Sequence, residues 1–221
     1  MIWATGLRPT EHDCMSDTDR HSHWENVYRT KGDRDVSWFE ESPRVSLELI
    51  RATGVKTNAS IIDIGGGASR LVDALLDEGF ADITVLDLSE QALATSRSRL
   101  GARGAKVKWL AADVTAWEPS QTYDVWHDRA AFHFLTDAKD RAAYAERVLR
   151  AVRPGGHVII GTFAPEGPQR CSGLPVVRHD AGSLGKVLGP SFALVESRSH
   201  AHQTPAAAIQ LFQFSRFRRL K

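Results

Sequence analysis

Ile61-Ile62-Asp63-Ile64-Gly65-Gly66-Gly67-Ala68-Ser69 joins a short apolar run to three consecutive glycines. The run has the length of a buried strand, and Leu71, Val72, Leu75 and Leu76 behind the glycines give a helical stripe that stops at Gly79. A strand, a tight turn and a helix form the first unit of a parallel sheet. The unit then repeats. Ile83 to Asp87 reads as a second strand, and Ser89 caps a helix through Leu93, Ser96 and Leu100 that ends at Gly101. Val107 to Ala111 and Tyr123 to Trp126 read as the third and fourth strands. A helix from about Asp137 to Val152 ends before Pro154-Gly155-Gly156, and His157 to Gly161 is the fifth strand. Between Phe192 to Glu196 and Ile209 to Phe214 lies a segment too short for a typical crossover helix, so these strands should pair as a C-terminal antiparallel hairpin. The predicted fold class is α/β: a three-layer sandwich around a mostly parallel seven-stranded sheet with one reversed strand.

Upstream, Ser42-Pro43 reads as a helix cap followed by proline at the first helical position, with Val45, Leu49 and Ala52 on one stripe and Gly54 as the stop. Residues 21–42 carry Trp24, Tyr28, Trp38 and Phe39 and read as an aromatic lid, with Gly32 and nearby charges breaking any continuous helix or strand. Residues 1–20 lack apolar periodicity and read as a flexible arm, within which Met15 is a candidate start. Residues 21–221 are expected to form a single domain, since domains of roughly this length are common.

With 42% hydrophobic and 25% charged residues, the composition is that of a globular chain. A formal net charge of +1 argues against nucleic acid as partner, and the basic end Arg216, Arg218, Arg219 and Lys221 reads as a solvated terminus. No apolar run approaches the ~20 residues of a membrane span. The two cysteines, Cys14 and Cys171, are too few for a disulfide framework and lack the spacing of a structural zinc site, so no metal is expected. A cytoplasmic protein without membrane partners is the expectation.

In a doubly wound sheet the ligand crevice lies outside the carboxyl ends of the strands, which is where Gly65, Gly66 and Gly67 sit. Taken alone the glycines suit a plain turn. Counted from Gly65, the nicotinamide fingerprint requires glycine at a position held here by Arg70, and Asp63 is poorly suited to a pyrophosphate. A carboxylate there suits a cationic ligand, such as the ammonium and sulfonium of S-adenosylmethionine. Asp87, at the end of the second strand, is placed to accept from ribose hydroxyls, and Asp113 to accept from an adenine amine while Val114 packs on the ring. A helix cap or turn is the other reading of both acids.

The ordered segments Asp63-Ile64-Gly65-Gly66-Gly67, Leu86-Asp87-Leu88-Ser89, Ala112-Asp113-Val114, Tyr123-Asp124-Val125 and Arg153-Pro154-Gly155-Gly156 resemble those of the class I S-adenosylmethionine-dependent methyltransferases. The resemblance covers residues from about 60 to 163, and Ser69 replaces the third glycine of that family's usual loop. It implies S-adenosylmethionine as cofactor, held by Asp63, Gly65, Gly67, Asp87, Asp113 and Val114; Gly66 and Leu88 beside them are further candidate contacts. Trp24, Trp38 and Phe39 either close over the sulfonium or stack an acceptor by cation–π attraction, or form the lid's own small core. The resemblance also implies a seven-stranded sheet ending in a reversed hairpin.

The fourth strand delivers Asp128-Arg129-Ala130-Ala131-Phe132-His133 to the crevice. His133 is a candidate general base, and Asp128 with Arg129 are candidates to bind or orient an acceptor. A buried ion pair and an inert histidine is the competing reading. The Asp-Arg-Ala-Ala segment and the aromatic N-terminal entry are similar to the thiopurine and chalcogen methyltransferase branch, which implies a small-molecule nucleophile such as a thiol. Ser37-Trp38-Phe39 and overall size resemble the small lysine methyltransferases, so a protein substrate is the alternative. A regulatory domain that binds the cofactor without catalysis is a third. Cys171 either touches a soft substrate or is inert packing.

Overall fold

The computed structural model describes residues 17–221. Most of the expected arm, with Met15, lies outside the described residues, but its proposed end at residue 20 falls inside a helix. That helix, α1 (Asp17–Thr30), is followed by α2 (Arg44–Arg51), β1 (Ser60–Ile64), α3 (Leu71–Asp77), β2 (Asp82–Asp87), α4 (Glu90–Leu100), β3 (Val107–Ala111) and β4 (Tyr123–Arg129). The chain continues through α5 (Ala138–Ala151), β5 (Val152–Phe163), a small hairpin of β6 (Arg170–Cys171) and β7 (Leu174–Pro175), α6 (Ala181–Leu188), β8 (Phe192–Gln203) and β9 (Ile209–Arg219).

The seven-stranded sheet has the order β3-β2-β1-β4-β5-β9-β8. β1 runs parallel to both β2 and β4, aligning Ile64 with Leu86 and with Asp128. β9 alone is reversed, lying antiparallel to β5 and β8. Strand side chains alternate between faces, and that alternation builds two cores. Ile61 and Ile159 meet Leu49 of α2, Leu75 of α3 and Leu93 of α4 on one face. Ile62, Trp126 and Ile160 meet Tyr144 and Val148 of α5 and Leu184 of α6 on the other. The three-layer α/β architecture read from the sequence is the observed one.

Several boundaries differ from the sequence-based expectation. Trp24 and Tyr28 lie on one continuous helix that ends before Gly32, so the glycine breaks the segment only at its midpoint. Pro43, not Ser42, holds the cap position of α2, and no side chain caps it. β8 and β9 each extend well past the predicted hairpin, to Gln203 and Arg219. β8 is an edge strand, and its polar Arg198, Ser199, His200 and His202 carry no apolar signal. α6 was not anticipated: Gly182 and Gly185 dilute its helical pattern, while Asp180 and Ser183 form a capping box that starts it.

Candidate active site

Strand order reverses between β1 and β4, so their carboxyl ends open a crevice at the switch point. A cleft of about 800 Å³, its open mouth included, occupies that place. Its floor comes from Ile64 and Gly65 at the end of β1, Leu86, Asp87 and Leu88 at the end of β2, Ala112, Asp113 and Val114 after β3, and Arg129 to Ala131 at the end of β4. Its roof comes from Arg20, Trp24 and Tyr28, which recur every fourth residue along α1, together with Trp38, Phe134 and Cys171. Trp24 meets Phe134 edge-on at 4.9 Å between ring centres and Trp38 at 5.7 Å.

The glycine loop is shaped by its neighbours. Gly65 takes φ +63°, donates its N–H to the Leu86 carbonyl at 2.7 Å, and lies where an added Cβ would come within 2.6 Å of the Ala131 methyl. A Cβ on Gly67 would come equally close to Asp87 Oδ2. These positions are glycine because the acid and the loop after β4 press against the turn. Ser69, where a third glycine was expected, accepts from the Leu71 N–H at 3.1 Å, and Arg70 pairs with Asp33 at 3.0 Å.

The three loop acids occupy unlike positions. Asp87 is buried on the cleft wall, its Oδ1 accepting from the Ser89 N–H at 2.8 Å. Burial pushes its carboxyl up to about 7, against that hydrogen bond and with help from the Asp63 charge. Asp113 accepts from the Thr115 N–H at 2.8 Å and hydroxyl at 2.6 Å, and faces the Arg20 guanidinium at 3.2 Å. Arg20 also reaches Asp140 at 2.9 Å, which ties α1 over the cleft. Asp63 lies beneath the loop rather than on the cleft wall. Its Oδ1 is 2.7 Å from His127 Nδ1, and His127 Nε2 is 2.9 Å from the Ser46 hydroxyl. Asp63, Gly66 and Gly67 therefore shape the loop from behind, while Trp38, Gly65, Asp87, Leu88, Asp113 and Val114 line the cleft.

The segment after β4 separates in the same way. Arg129 lines the cleft; its Nη1 donates to the Trp38 carbonyl at 2.8 Å, Nη2 faces Glu40 at 3.1 Å, and the guanidinium lies 5.1 Å from the Phe212 ring centre. Burial lowers its pKa, opposed by the Glu40 and Asp63 charges. Asp128 turns away from the cleft. It accepts from the Ala131 N–H at 3.0 Å, the Phe132 N–H at 3.1 Å and the Tyr144 hydroxyl at 2.9 Å, while Trp126 Nε1 donates to that hydroxyl at 2.8 Å. It braces a turn in which Ala130, on the cleft wall, takes the left-handed φ of +68°.

His133 is also outside the cleft, fully buried against Phe134 and Phe163, with Nδ1 3.4 Å from the Phe163 N–H. Burial, with the His179 and Arg129 charges, lowers its pKa to about 3, so it is neutral near pH 7. The expected roles of Asp128 in orienting an acceptor and of His133 as general base thus find no support in their geometry: Asp128 points into the α5 layer toward Tyr144, and His133, beyond the end of β4, is buried against Phe134 and Phe163 on the opposite face of the sheet. Cys171 does reach the cleft, with its thiol pushed up to about 11 by burial. Arg20, Tyr28, Phe134 and Glu40 were not singled out as site residues; the spacing 20, 24, 28 is the sequence signal for the first two.

Residues 61–156 match the family described as a methyltransferase domain. The chain is 29% identical over 215 residues to the eEF1A lysine and N-terminal methyltransferase of Mus musculus, an alignment that takes in 86% of this chain and 30% of the mouse protein. It is 29% identical over 127 residues to the trans-aconitate 2-methyltransferase of Azoarcus sp. (strain BH72), covering 57% of this chain and 47% of that protein. The chain thus spans less than half the length of either relative. In three dimensions it is similar to the 1,6-didemethyltoxoflavin-N1-methyltransferase of Burkholderia thailandensis, solved with 1,6-didemethyltoxoflavin and S-adenosylhomocysteine bound. The TM-score is 0.74 at 22% identity, covering 100% of this chain and 94% of that one. The fold is that of the class I methyltransferases.

Proposed function

We propose that this chain is an S-adenosylmethionine-dependent methyltransferase whose acceptor is a small-molecule nucleophile, a thiol or other chalcogen. The observation that carries the reading is the cleft at the switch point, where the buried Asp87 and the Asp113-Val114 pair face a wall of Trp24, Tyr28, Trp38 and Phe134. A cavity of this size and mixed lining suits a ligand of nucleoside dimensions. The Asp87 carboxylate, which accepts from the Ser89 and Gly67 N–H groups, would share its remaining lone pairs with ribose hydroxyls, and Val114 offers an apolar surface for a purine beside Asp113, whose oxygens are held by Thr115 and Arg20. Trp24 and Trp38 present ring faces suited to a cation.

When bound, the cofactor supplies a methyl group on a sulfonium, already activated toward a nucleophile. The chain's own part is to position and to exclude water, through the aromatic roof and through Arg129, which fixes Trp38 by its carbonyl. Neither needs a general base. The Asp128-Arg129-Ala130-Ala131 segment favours the chalcogen acceptor, and the roof over the cleft favours a small one.

Protein lysine methylation is the second reading, supported by the eEF1A methyltransferases among the relatives. Calorimetric titration with S-adenosylmethionine and S-adenosylhomocysteine tests the cofactor; saturable binding of both is expected, and binding of neither overturns the reading. Labelled cofactor offered with thiols, selenide, amines and cell lysate then separates the acceptors. Label in small products supports the proposal, label on protein bands supports the lysine reading, and cofactor binding without any transfer supports a non-catalytic domain.

A further inference from the structure

Away from the cleft floor, three metal-ligating side chains converge where the lid meets the C-terminal hairpin. His200 and His202 are two residues apart on β8 and so share a face of that strand. Glu40, from the lid, lies with Oε1 3.4 Å from His202 Nδ1 and 3.6 Å from His200 Nε2. The three donor atoms all lie within 4.8 Å of one another. An ion with tetrahedral bonds of ~2.1 Å has ligand-to-ligand edges of about 3.4 Å, close to both Glu40 separations.

The orientation of His202 also suits an ion. Its Nε2 donates to the Ser37 carbonyl oxygen at 2.8 Å, which leaves Nδ1, facing Glu40, as the nitrogen that would exchange its proton for an ion. A backbone carbonyl holding the outer nitrogen of a histidine is the usual support of a metal-bound imidazole. Among the described residues the His200 imidazole makes no hydrogen bond, and its nearest charged neighbour is Glu40 at 3.6 Å. The group is reached from solvent through a shallow hollow between the lid and the hairpin tip, lined by Arg34, Glu41, His202 and Gln203. Arg129 is the opposing cation, at 3.1 Å from Glu40 Oε1. The guanidinium and both imidazoles face the same oxygen, Oε1, so an ion would share that oxygen with Arg129 or draw on the second oxygen, Oε2.

We propose that Glu40, His200 and His202 form a binding site for a divalent transition-metal ion of the zinc type, with water completing the coordination, that fastens the lid to the β8–β9 hairpin. Two imidazoles and one carboxylate are a recurring donor set for such ions. The ion ties together segments 160 residues apart in the chain. Because Glu40 also holds Arg129, and Arg129 holds the Trp38 carbonyl, the site reaches the cleft wall through one side chain on either side. Its role is structural, and it does not depend on the identity of the cofactor or the acceptor.

The full chain, stripped with a chelator, is titrated calorimetrically with Zn²⁺, and hydrogen exchange of the lid is followed with and without the ion. One ion per chain is expected, bound more tightly than about 10 μM, with slower exchange over residues 37–42. His200→Ala and the bulk-conserving His200→Gln should each weaken binding at least ~10-fold while the circular dichroism spectrum is kept; His202→Ala should do the same. Absence of saturable binding in the wild-type chain overturns the proposal. So does binding that is unchanged in the His200 and His202 variants, which would place the ion elsewhere.

Discussion

At the scale of single residues, burial decides which of the conspicuous side chains face the cleft. Asp87 is both on the cleft wall and out of bulk water, so its carboxyl titrates near neutrality. Only the ionised form accepts from two hydroxyls without carrying a proton of its own. Affinity for S-adenosylhomocysteine should therefore tighten as pH rises through about 7 in the wild-type chain and stay flat in Asp87→Asn. At pH 8, Asp87→Ala should weaken it by about 1–3 kcal/mol, read by calorimetry. His133 gives the contrasting case. A general base contributes ~10²–10⁴-fold, but His133 touches Phe134 and Phe163 rather than the cleft. His133→Gln should change kcat by less than about 10-fold in the methyl-transfer assay, and a larger loss would restore it to the acceptor site.

At the scale of elements, short-range signals survive folding best. The sequence marks Ser89 as the cap of α4, and its hydroxyl accepts from the Ala92 N–H at 3.1 Å with the side chain fully buried. Ser89→Ala should cost about 1 kcal/mol, seen as a lower urea midpoint with an unchanged slope. The same locality explains why β1, β2 and β3 were legible to within a residue: each is an apolar run with a glycine or acid at its end. β8 and α6 were not legible. A partly exposed edge strand needs little apolar content, and a helix with two glycines is carried by its capping box and by Leu184 and Leu188 against the sheet. For α1, the signal was the every-fourth-residue recurrence of Arg20, Trp24 and Tyr28, obscured by its weak amphipathic pattern and by the break at Gly32.

For the whole molecule, buried titrating groups pull stability in opposite directions with pH. Asp87 and Asp128, raised by burial to about 7 and about 6, keep protons that the unfolded chain has released; their contribution is full below ~4 and is lost as pH rises through those values. His133, His157 and His179, lowered mainly by burial to about 3, about 4 and about 4, stay neutral where the unfolded chain is protonated; their contribution is full above ~6.5 and is lost as pH falls toward those values. Removing one opposing group should expose the other set. In urea denaturation, Asp87→Asn should gain stability relative to the wild type between pH 5 and 7.5, and His133→Leu should lose less stability than the wild type between pH 6.5 and 4.5.

The order of strands and helices from β1 to β5, the glycine loop and the acids at the ends of β1, β2 and β3 were determined by the sequence alone, because each is written in neighbouring residues as a period, a cap or a turn. Tertiary structure decided which of those residues the cleft uses. It turned Asp63 beneath the loop and Asp128 into the α5 layer, buried His133 against Phe134 and Phe163, and laid α1 over the cleft through the contact of Arg20 with Asp113. It also brought Glu40 from the lid to His200 and His202 of the edge strand, a meeting that no local pattern encodes because it depends on how distant segments pack.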